Sequence, residues 1–311
     1  MTLMTTDQLR LFLVIVQYRS LSRAAAELDL GQATVSERLR ALENELGVEL
    51  FERQGRGVAL TPAGETFKPY AERALELIRQ GNDSARAASE GRGGQVSVAV
   101  TVTSGAYLFA PALVAFQREH PNVEVRVRSA HSWDAPGLIL DGLAELALIS
   151  GSVTQPQIES VATFHSPFAL VAGKNHPRAA HRFTLSELAR EQFLVSFWGA
   201  SSQNFLERVK ESAEGQTGLW LELSPVELVK GMLIAGSGVS LVPQIAVRRE
   251  LASGDLITLA LADSTLRLPL WEINLIRRAH RHAAANPAAD ALTQTLIKVL
   301  PTLTKQYPEG S

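Results

Sequence analysis

Between Gly31 and Gly64 the sequence GQATVSERLRALENELGVELFERQGRGVALTPAG carries Arg38 and Arg40 in a stretch of helical period, then Arg53 and Arg56 around the turn Gln54-Gly55-Arg56-Gly57. Guanidinium groups on a helix face and at a turn tip suit phosphate oxygens and groove edges, because they stay charged and donate in a fixed plane. A second set of chemistry-bearing residues is hydroxylic. Thr103 and Ser104, then Ser132 beside His131, then Ser201 and Ser202 beside Trp198, each fall at the expected start of a helix. Helix starts whose hydroxyls face a crevice favour a small anion. Serine and threonine are also the ordinary capping residues, so plain caps are the competing reading.

Other chemistries are excluded by the same inspection. Gly236-Ser237-Gly238 precedes a strand and lacks a third glycine, which makes it a backbone turn rather than a dinucleotide loop. His280 and His282 have no carboxylate or cysteine close by and read as a solvated basic turn. There is no nucleophile elbow, phosphate loop or His-Glu-x-x-His helix. The chain has no cysteine, so disulfides, thiolate metal sites and thiol redox switches are ruled out. Neither catalysis, nor a cofactor, nor a metal is expected.

The elements that must position these residues are legible from periodicity. At 311 residues, 46% hydrophobic and 20% charged, the chain has the balance of a globular protein of two or three units. In DQLRLFLVIVQY, Leu9, Phe12, Leu13 and Val16 mark one helix face, while Leu11, Val14 and Ile15 make the other side apolar too. Such a helix needs two covered faces, one within the chain and one against a partner chain. Ser22 is expected to cap a short alanine-rich helix, and a third helix follows Gly31 and stops at Gly47. Val35, Leu39, Leu42 and Leu46 form its inner stripe, leaving Thr34, Glu37, Arg38 and Ala41 outward. Two short strands then flank the Gly-Arg-Gly tip. Helix, turn, helix and hairpin in that order make a winged helix-turn-helix, whose second helix can enter a major groove.

Thr61-Pro62 starts a long helix reaching about Ala88, with Phe67, Tyr70, Ala71, Ala74, Leu75 and Ile78 on its apolar stripe. At roughly 40 Å it outruns the small domain before it, so a second copy is its natural cover. Pro69 should bend it or delay its regular start. SEGRGGQ, residues 89 to 95, reads as a linker. Beyond it strands and helices alternate: VSVAV, a helix from about Ser104 to Arg118, VEVRVRS, a helix near Ser132 to Leu140, LALIS, and a second round from FALVAG to GSGVSLVP. Alternation predicts right-handed, mostly parallel α/β units in two lobes.

The stretch SLSRAAAELDLGQATVSERLRALENELGVELFERQGRGVALTPAGETF closely resembles the LysR-type transcriptional regulators. LFAPALVAFQREHPNVEVRV, DGLAELALISG and LVKGMLIAGSGVSLVP resemble, more thinly, that family's effector domain. The resemblance implies an α/β protein with an N-terminal winged helix-turn-helix at 1–61, a linker and dimerisation helix at 62–89 and a hinge at 90–95. A two-lobed, periplasmic-binding-protein-like effector domain would follow at 96–303, lobe I being about 96–158 with 268–303 and lobe II about 159–267.

By position, the resemblance makes Gln32, Ala33, Thr34, Ser36, Glu37 and Arg38 the groove-facing residues and Arg53 and Arg56 the wing contacts, with Ser22 and Arg23 in the same DNA-binding set. Many members have proline where this chain has Ala33 and arginine where it has Glu37. A glutamate cannot bind phosphate but can accept from a cytosine amino group. Residues 1 to 60 hold seven arginines against eight carboxylates, so non-specific affinity should be modest. For the effector cleft the resemblance raises Thr101, Thr103, Ser104, His131 and Ser202, and the helix-start argument adds Trp198 and Ser201.

The function expected is sequence-specific regulation of transcription by a small, anionic effector bound between two lobes. The expected partners are a double-stranded DNA operator, that effector, a second copy in a homodimer or homotetramer, and RNA polymerase; no membrane is expected. No secretory signal or long apolar run is apparent, which places the protein in the cytoplasm. The alternative is a cytosolic solute-binding or enzymatic α/β protein with a helical appendage. A solute receptor should carry a secretion signal, and an enzyme a nucleophile or metal set in the cleft.

Overall fold

The computed structural model describes residues 4–55, 57–89, 94–213, 215, 217–263, 265–279 and 286–305. It divides into two compact units, Met1–Glu90 with Asp141–Leu143 and Gly91–Leu140 with Ala144–Ser311.

The first unit opens with α1, Thr6–Tyr18, whose Thr5 cap accepts from the Gln8 N–H while the Gln8 side chain accepts from the Thr5 N–H. This reciprocal pairing satisfies two donors that a bare helix start leaves open. Helix α2 spans Leu21–Glu27 and is capped by Ser20, not by Ser22 as expected. A cap needs extended backbone three residues ahead of the N–H it serves, and Ser20 has it, its hydroxyl accepting from Arg23 N–H at 3.4 Å. Helix α3 runs Gln32–Leu46 and stops at Gly47, burying Val35, Leu39 and Leu42 as one stripe, with Leu46 half-buried. Strands β1, Phe51–Gln54, and β2, Gly57–Leu60, pair antiparallel, with Gln54 opposite Gly57. Gly55 has φ +59°, the left-handed backbone that a two-residue hairpin turn requires.

Helix α4, Pro62–Ser89, continues through Pro69, so its regular start is not delayed. Its cap is Thr61, whose hydroxyl accepts from Gly64 N–H at 3.1 Å. Phe12 anchors the core of this unit, its ring 5.3 Å from Phe51 and 5.1 Å from Phe67, so that α1, β1 and α4 converge on one buried side chain. The buried face of α1 is Leu9, Leu11, Phe12 and Ile15, while Leu13, Val14 and Val16 are only half-buried at the margin of this core.

The second unit begins with β3, Gln95–Val100, and a helical run made of α5, Val102–Ser104, a π turn over Gly105–Phe109, and α6, Ala110–Glu119. Then come β4, Glu124–Ser129, α7, Ala135–Leu140, β5, Leu146–Ser150, and a 16-residue strand β6, Ile158–Gly173. The second round is β7, Arg182–Phe183, α8, Leu185–Ala189, β8, Phe193–Val195, α9, Ala200–Glu211, β9, Trp220–Glu222, α10, Val226–Ile234, and β10, Val239–Pro243. The chain closes with α11, Arg248–Ser253, β11, Leu256–Thr258, β12, Ala260–Leu261, β13, Leu270–Arg278, and α12, Pro287–Thr304.

Among the described residues a nine-stranded sheet is ordered β4-β3-β5-β13-β6-β10-β8-β9, with β11 also on β6. The expected parallel pairing holds at both ends, where β3 lies parallel to β4 and β5, and β8 parallel to β9 and β10. It fails in the middle, where β13 runs antiparallel to β5 and β6, and β10 antiparallel to β6. The cause is β6 itself. Its residues 158–167 pair with β13, residues 168–172 with β10 and residues 171–173 with β11, so one strand serves both halves. Asn274, 3% exposed, ties the first half of β6 to β13: its Oδ1 accepts from Ser160 and Thr163 at 2.7 Å each, and its Nδ2 donates to Gly151 O at 2.9 Å and Glu272 at 2.8 Å. A buried amide with every donor and acceptor used rigidifies its surroundings. No helix among the described residues is long and apolar enough to cross a membrane.

Candidate functional site

In the first unit the outward face of α3 carries Gln32, Ala33, Glu37 and Arg38 exposed, with Thr34 and Ser36 half-buried at its edge. Ser22 and Arg23 are exposed on the first turn of α2, and Arg53 is exposed on β1. Among the described residues Arg23, Arg38 and Arg53 form no ion pair, which leaves their guanidinium groups available to an outside anion. Arg56 lies outside the described residues, as do His280 and His282.

Two backbone N–H groups fix the wing to α3. Leu50 and Phe51 both donate to Glu43 Oε1, at 2.8 and 3.2 Å. The wing is further tied to the end of α1, because Val58 N–H donates to Arg19 O at 3.1 Å. Recognition helix and hairpin are therefore held in one register by a charge-assisted clamp that sequence reading missed; Glu43 was counted only among the carboxylates.

The second unit contains a cavity of about 670 Å³, lined by Thr101–Thr103, Ser129–Trp133, Ser150, Ser196–Trp198 and Glu222–Val226. Strand ends and helix starts build it: β3 leads into α5, β4 into α7, β8 into α9 and β9 into α10. The sequence assignments divide here. Thr101, Thr103, His131 and Trp198 line the cavity; Ser104, Ser201 and Ser202 do not.

The reason is how each hydroxyl is used. Thr101, not Ser104, is the cap of α5, accepting from Ser104 N–H at 3.3 Å, while Ser104 Oγ donates inward to Leu148 O at 2.9 Å. Helix α9 begins at Ala200 after Gly199, so Ser201 and Ser202 stand inside its first turn. Gly199 takes φ +100°, a backbone that side-chain-bearing residues rarely adopt, and it turns the chain between Trp198 and the helix. Ser202 Oγ then donates to Gly199 O at 2.8 Å and Ser201 Oγ to Leu270 O at 2.8 Å. Ser132 does line the cavity, but not as a free group, since its Oγ accepts from Ser150 N–H at 3.0 Å.

Residues that sequence reading missed complete the wall. His131 stacks on Trp133 with centroids 4.4 Å apart and planes 5° from parallel, and Trp133 meets Phe197 edge-on at 6.1 Å. Trp133 is 64% exposed and Phe197 49% exposed, a costly placement for aromatic rings that are serving only as core. Trp198 is buried against Trp271 at 6.0 Å, and its indole N–H has no partner among the described residues. Glu222 is the one Asp, Glu, Lys or Arg in the described lining, and neither lysine nor arginine appears there, so the expected anion finds hydroxyls but no opposite charge. Gly236-Ser237-Gly238 joins α10 to β10 as a turn, as expected. No cluster of metal-ligating side chains occurs among the described residues.

Comparison with known proteins covers both units. A family model described as LysR substrate binding domain matches residues 89–301, and one described as bacterial regulatory helix-turn-helix protein, lysR family, matches residues 6–65. The RuBisCO operon transcriptional regulator of Allochromatium vinosum is 31% identical over 258 residues, 81% of this chain and 83% of that one. The HTH-type transcriptional regulator CbbR of Rhodospirillum rubrum is 27% identical, over 93% of this chain and 94% of that one. Full-length CbnR complexed with its target DNA superposes with a TM-score of 0.77 at 21% identity, covering 95% of this chain and 100% of that one, a likeness of fold. With family models spanning residues 6–65 and 89–301, the chain belongs to the LysR-type transcriptional regulators, DNA-binding proteins with an effector domain and not enzymes.

Proposed function

We propose that α3 reads operator bases through Gln32, Thr34, Ser36, Glu37 and Arg38, and that Ser22, Arg23 and the wing arginines Arg53 and Arg56 hold phosphates or the minor groove. The observation that carries this reading is the outward face of α3, polar and exposed beside an arginine-bearing hairpin, with Arg38 and Arg53 in no ion pair among the described residues. A small effector in the cavity of the second unit biases two arrangements of the protein by binding one of them better. The domain plan follows: DNA reading over 1–61, dimerisation over 62–89, a hinge at 90–95, and the effector domain over 96–303. In that domain lobe I is 96–158 with 268–303, and lobe II is 159–267.

The half-buried Leu13, Val14 and Val16 and the exposed Tyr70, Leu77 and Ile78 support a homodimer, from which tetramers can grow. Its setting is the bacterial cytoplasm, with RNA polymerase as a further partner. Gel-shift and footprinting with fragments upstream of the neighbouring divergent gene test the proposal. A protected inverted repeat, its half-sites one or two helical turns apart, is the expected result. A single asymmetric half-site overturns the dimer, and no shift on any fragment overturns the DNA assignment.

A further inference from the structure

We infer that the cavity of the second unit selects a small organic cation with an apolar or aromatic body. The inference rests on the reading of this cavity as the effector site and names its ligand by charge. Two independent observations carry it. The first is electrostatic: Glu222, exposed and without a hydrogen-bond partner among the described residues, brings the wall's one acidic side chain, and the described wall holds no lysine or arginine to neutralise it. An unpaired carboxylate in a concave, partly apolar site repels anions and attracts cations more strongly than it would on an open surface.

The second is the aromatic mouth. The rings of Trp133 and Phe197 stand edge to face at 6.1 Å and half or more exposed, with the His131 ring stacked on Trp133. Electron-rich faces presented to a cavity are the ordinary recognition device for ammonium groups, quaternary ones included. The hydroxyls agree with this choice. Thr103, Ser129 and Ser224 line the wall with no protein hydrogen bond among the described residues, and each offers lone pairs to an N–H donor. Ser196, by contrast, donates to Leu223 O at 2.6 Å and is already committed. A carboxylate ligand would find the Trp198 indole N–H and hydroxyl donors but would have to face Glu222 with no lysine or arginine in the described wall to offset it; an ammonium would meet a counter-ion, the Trp133 and Phe197 rings and hydroxyl acceptors.

Three probes of similar size separate the charge classes on the full-length protein: benzyltrimethylammonium, benzyl alcohol and phenylacetate, titrated by calorimetry. Benzyltrimethylammonium is expected to bind about tenfold more tightly than phenylacetate. Glu222→Gln should weaken the cation about tenfold and leave benzyl alcohol unchanged, and Trp133→Ala should weaken the cation severalfold without moving the thermal midpoint, since both side chains are exposed. Tighter binding of phenylacetate, or an unchanged cation affinity in Glu222→Gln, overturns the inference, as does the failure of all three probes to bind. The broader reading is scored separately, by gel-shift with a small-molecule extract of the cells. A phenylacetate that binds tightly and alters operator affinity defeats the charge assignment and keeps the cavity as effector site. An extract that leaves operator binding by the parent and by Trp133→Ala identical defeats the effector site itself.

Discussion

Lys230 Nζ donates to the Tyr107 hydroxyl at 3.0 Å, fastening the π turn of one helical run to the middle of α10. The same ammonium lies 2.7 Å from Glu250 and 3.1 Å from Glu227, and the Tyr107 hydroxyl in turn donates to Glu227. Burial alone would pull the lysine pKa down, but Glu250, Tyr107 and Glu227 outweigh it and hold the ammonium above the usual lysine value. Val102 and Thr103, just before the π turn, and Val226, at the start of α10, all line the cavity, so this latch joins two of the segments that build its wall.

Lys230→Met should therefore destabilise the effector domain by roughly 1–3 kcal/mol, because it leaves the half-buried Glu250 without its cation. Glu250 Oε2 already has no hydrogen-bond partner among the described residues, so the site has little slack. Tyr107→Phe removes one neutral donor and should cost about 1 kcal/mol. Urea unfolding of the three proteins measures the difference; equal midpoints would mean that the latch carries no stability.

On the DNA face, Arg53→Ala should weaken binding to every sequence and reduce the slope of log affinity against log salt by about one phosphate contact. Gln32→Ala and Thr34→Ala should instead cost roughly 1–3 kcal/mol on the operator and little on random DNA. Titrations at several salt concentrations, on operator and scrambled duplexes, sort the residues. Uniform losses for all three variants would contradict the assignment.

Glu43→Ala should loosen the wing, because the Leu50 and Phe51 N–H groups lose their shared acceptor at a cost of about 1–3 kcal/mol. Glu43→Gln keeps a carbonyl acceptor and should lose less. Faster amide exchange at Leu50 and Phe51, read by NMR, is the direct signature, and unchanged exchange in Glu43→Ala would refute the clamp.

The Thr184–Glu187 capping box sets a pH window. The Thr184 backbone N–H and then its hydroxyl, assisted by His181, hold the Glu187 carboxyl at about 2 against an ordinary 4.5. With the folded value below the unfolded one, the carboxylate contributes stability above pH 4.5 that is lost as the pH falls from 4.5 towards 2. Thr184→Ala keeps the backbone N–H and removes the hydroxyl, so it should move the carboxyl part of the way towards its ordinary value in an NMR titration, and an unmoved value would show that the hydroxyl contributes nothing.

Helix and strand existence was legible wherever period and punctuation agreed. The stripe Val35, Leu39, Leu42 with Gly47 behind it gave α3 its ends, and the Gly-Arg-Gly tip placed the wing. Caps were less legible. Ser20 and Ser22 both stand before an alanine run, as Thr101, Thr103 and Ser104 all stand before another, and the choice depends on which residue keeps extended backbone. The first half of β6 gave no signal, because IESVATFHSP mixes faces and ends on Pro167, and its partner β13 lies more than a hundred residues away. The cavity wall was half legible. Hydroxyls at helix starts marked the correct loops, but Trp133, Phe197 and Glu222 take their meaning from three loops meeting, which no local pattern encodes.

The shared strand β6 has a thermodynamic corollary. A sheet that ended with each half would let one half melt while the other stayed folded. Here residues 158–167 and 168–173 are one uninterrupted backbone, and Asn274 ties its first half to the returning strand through four bonds. The halves share a backbone rather than ladder partners, so unravelling one frees the anchored end of the other. Such a shared strand couples the two halves of the sheet and is expected to make them denature together, with β6 passing from β13 to β10 between Pro167 and Phe168.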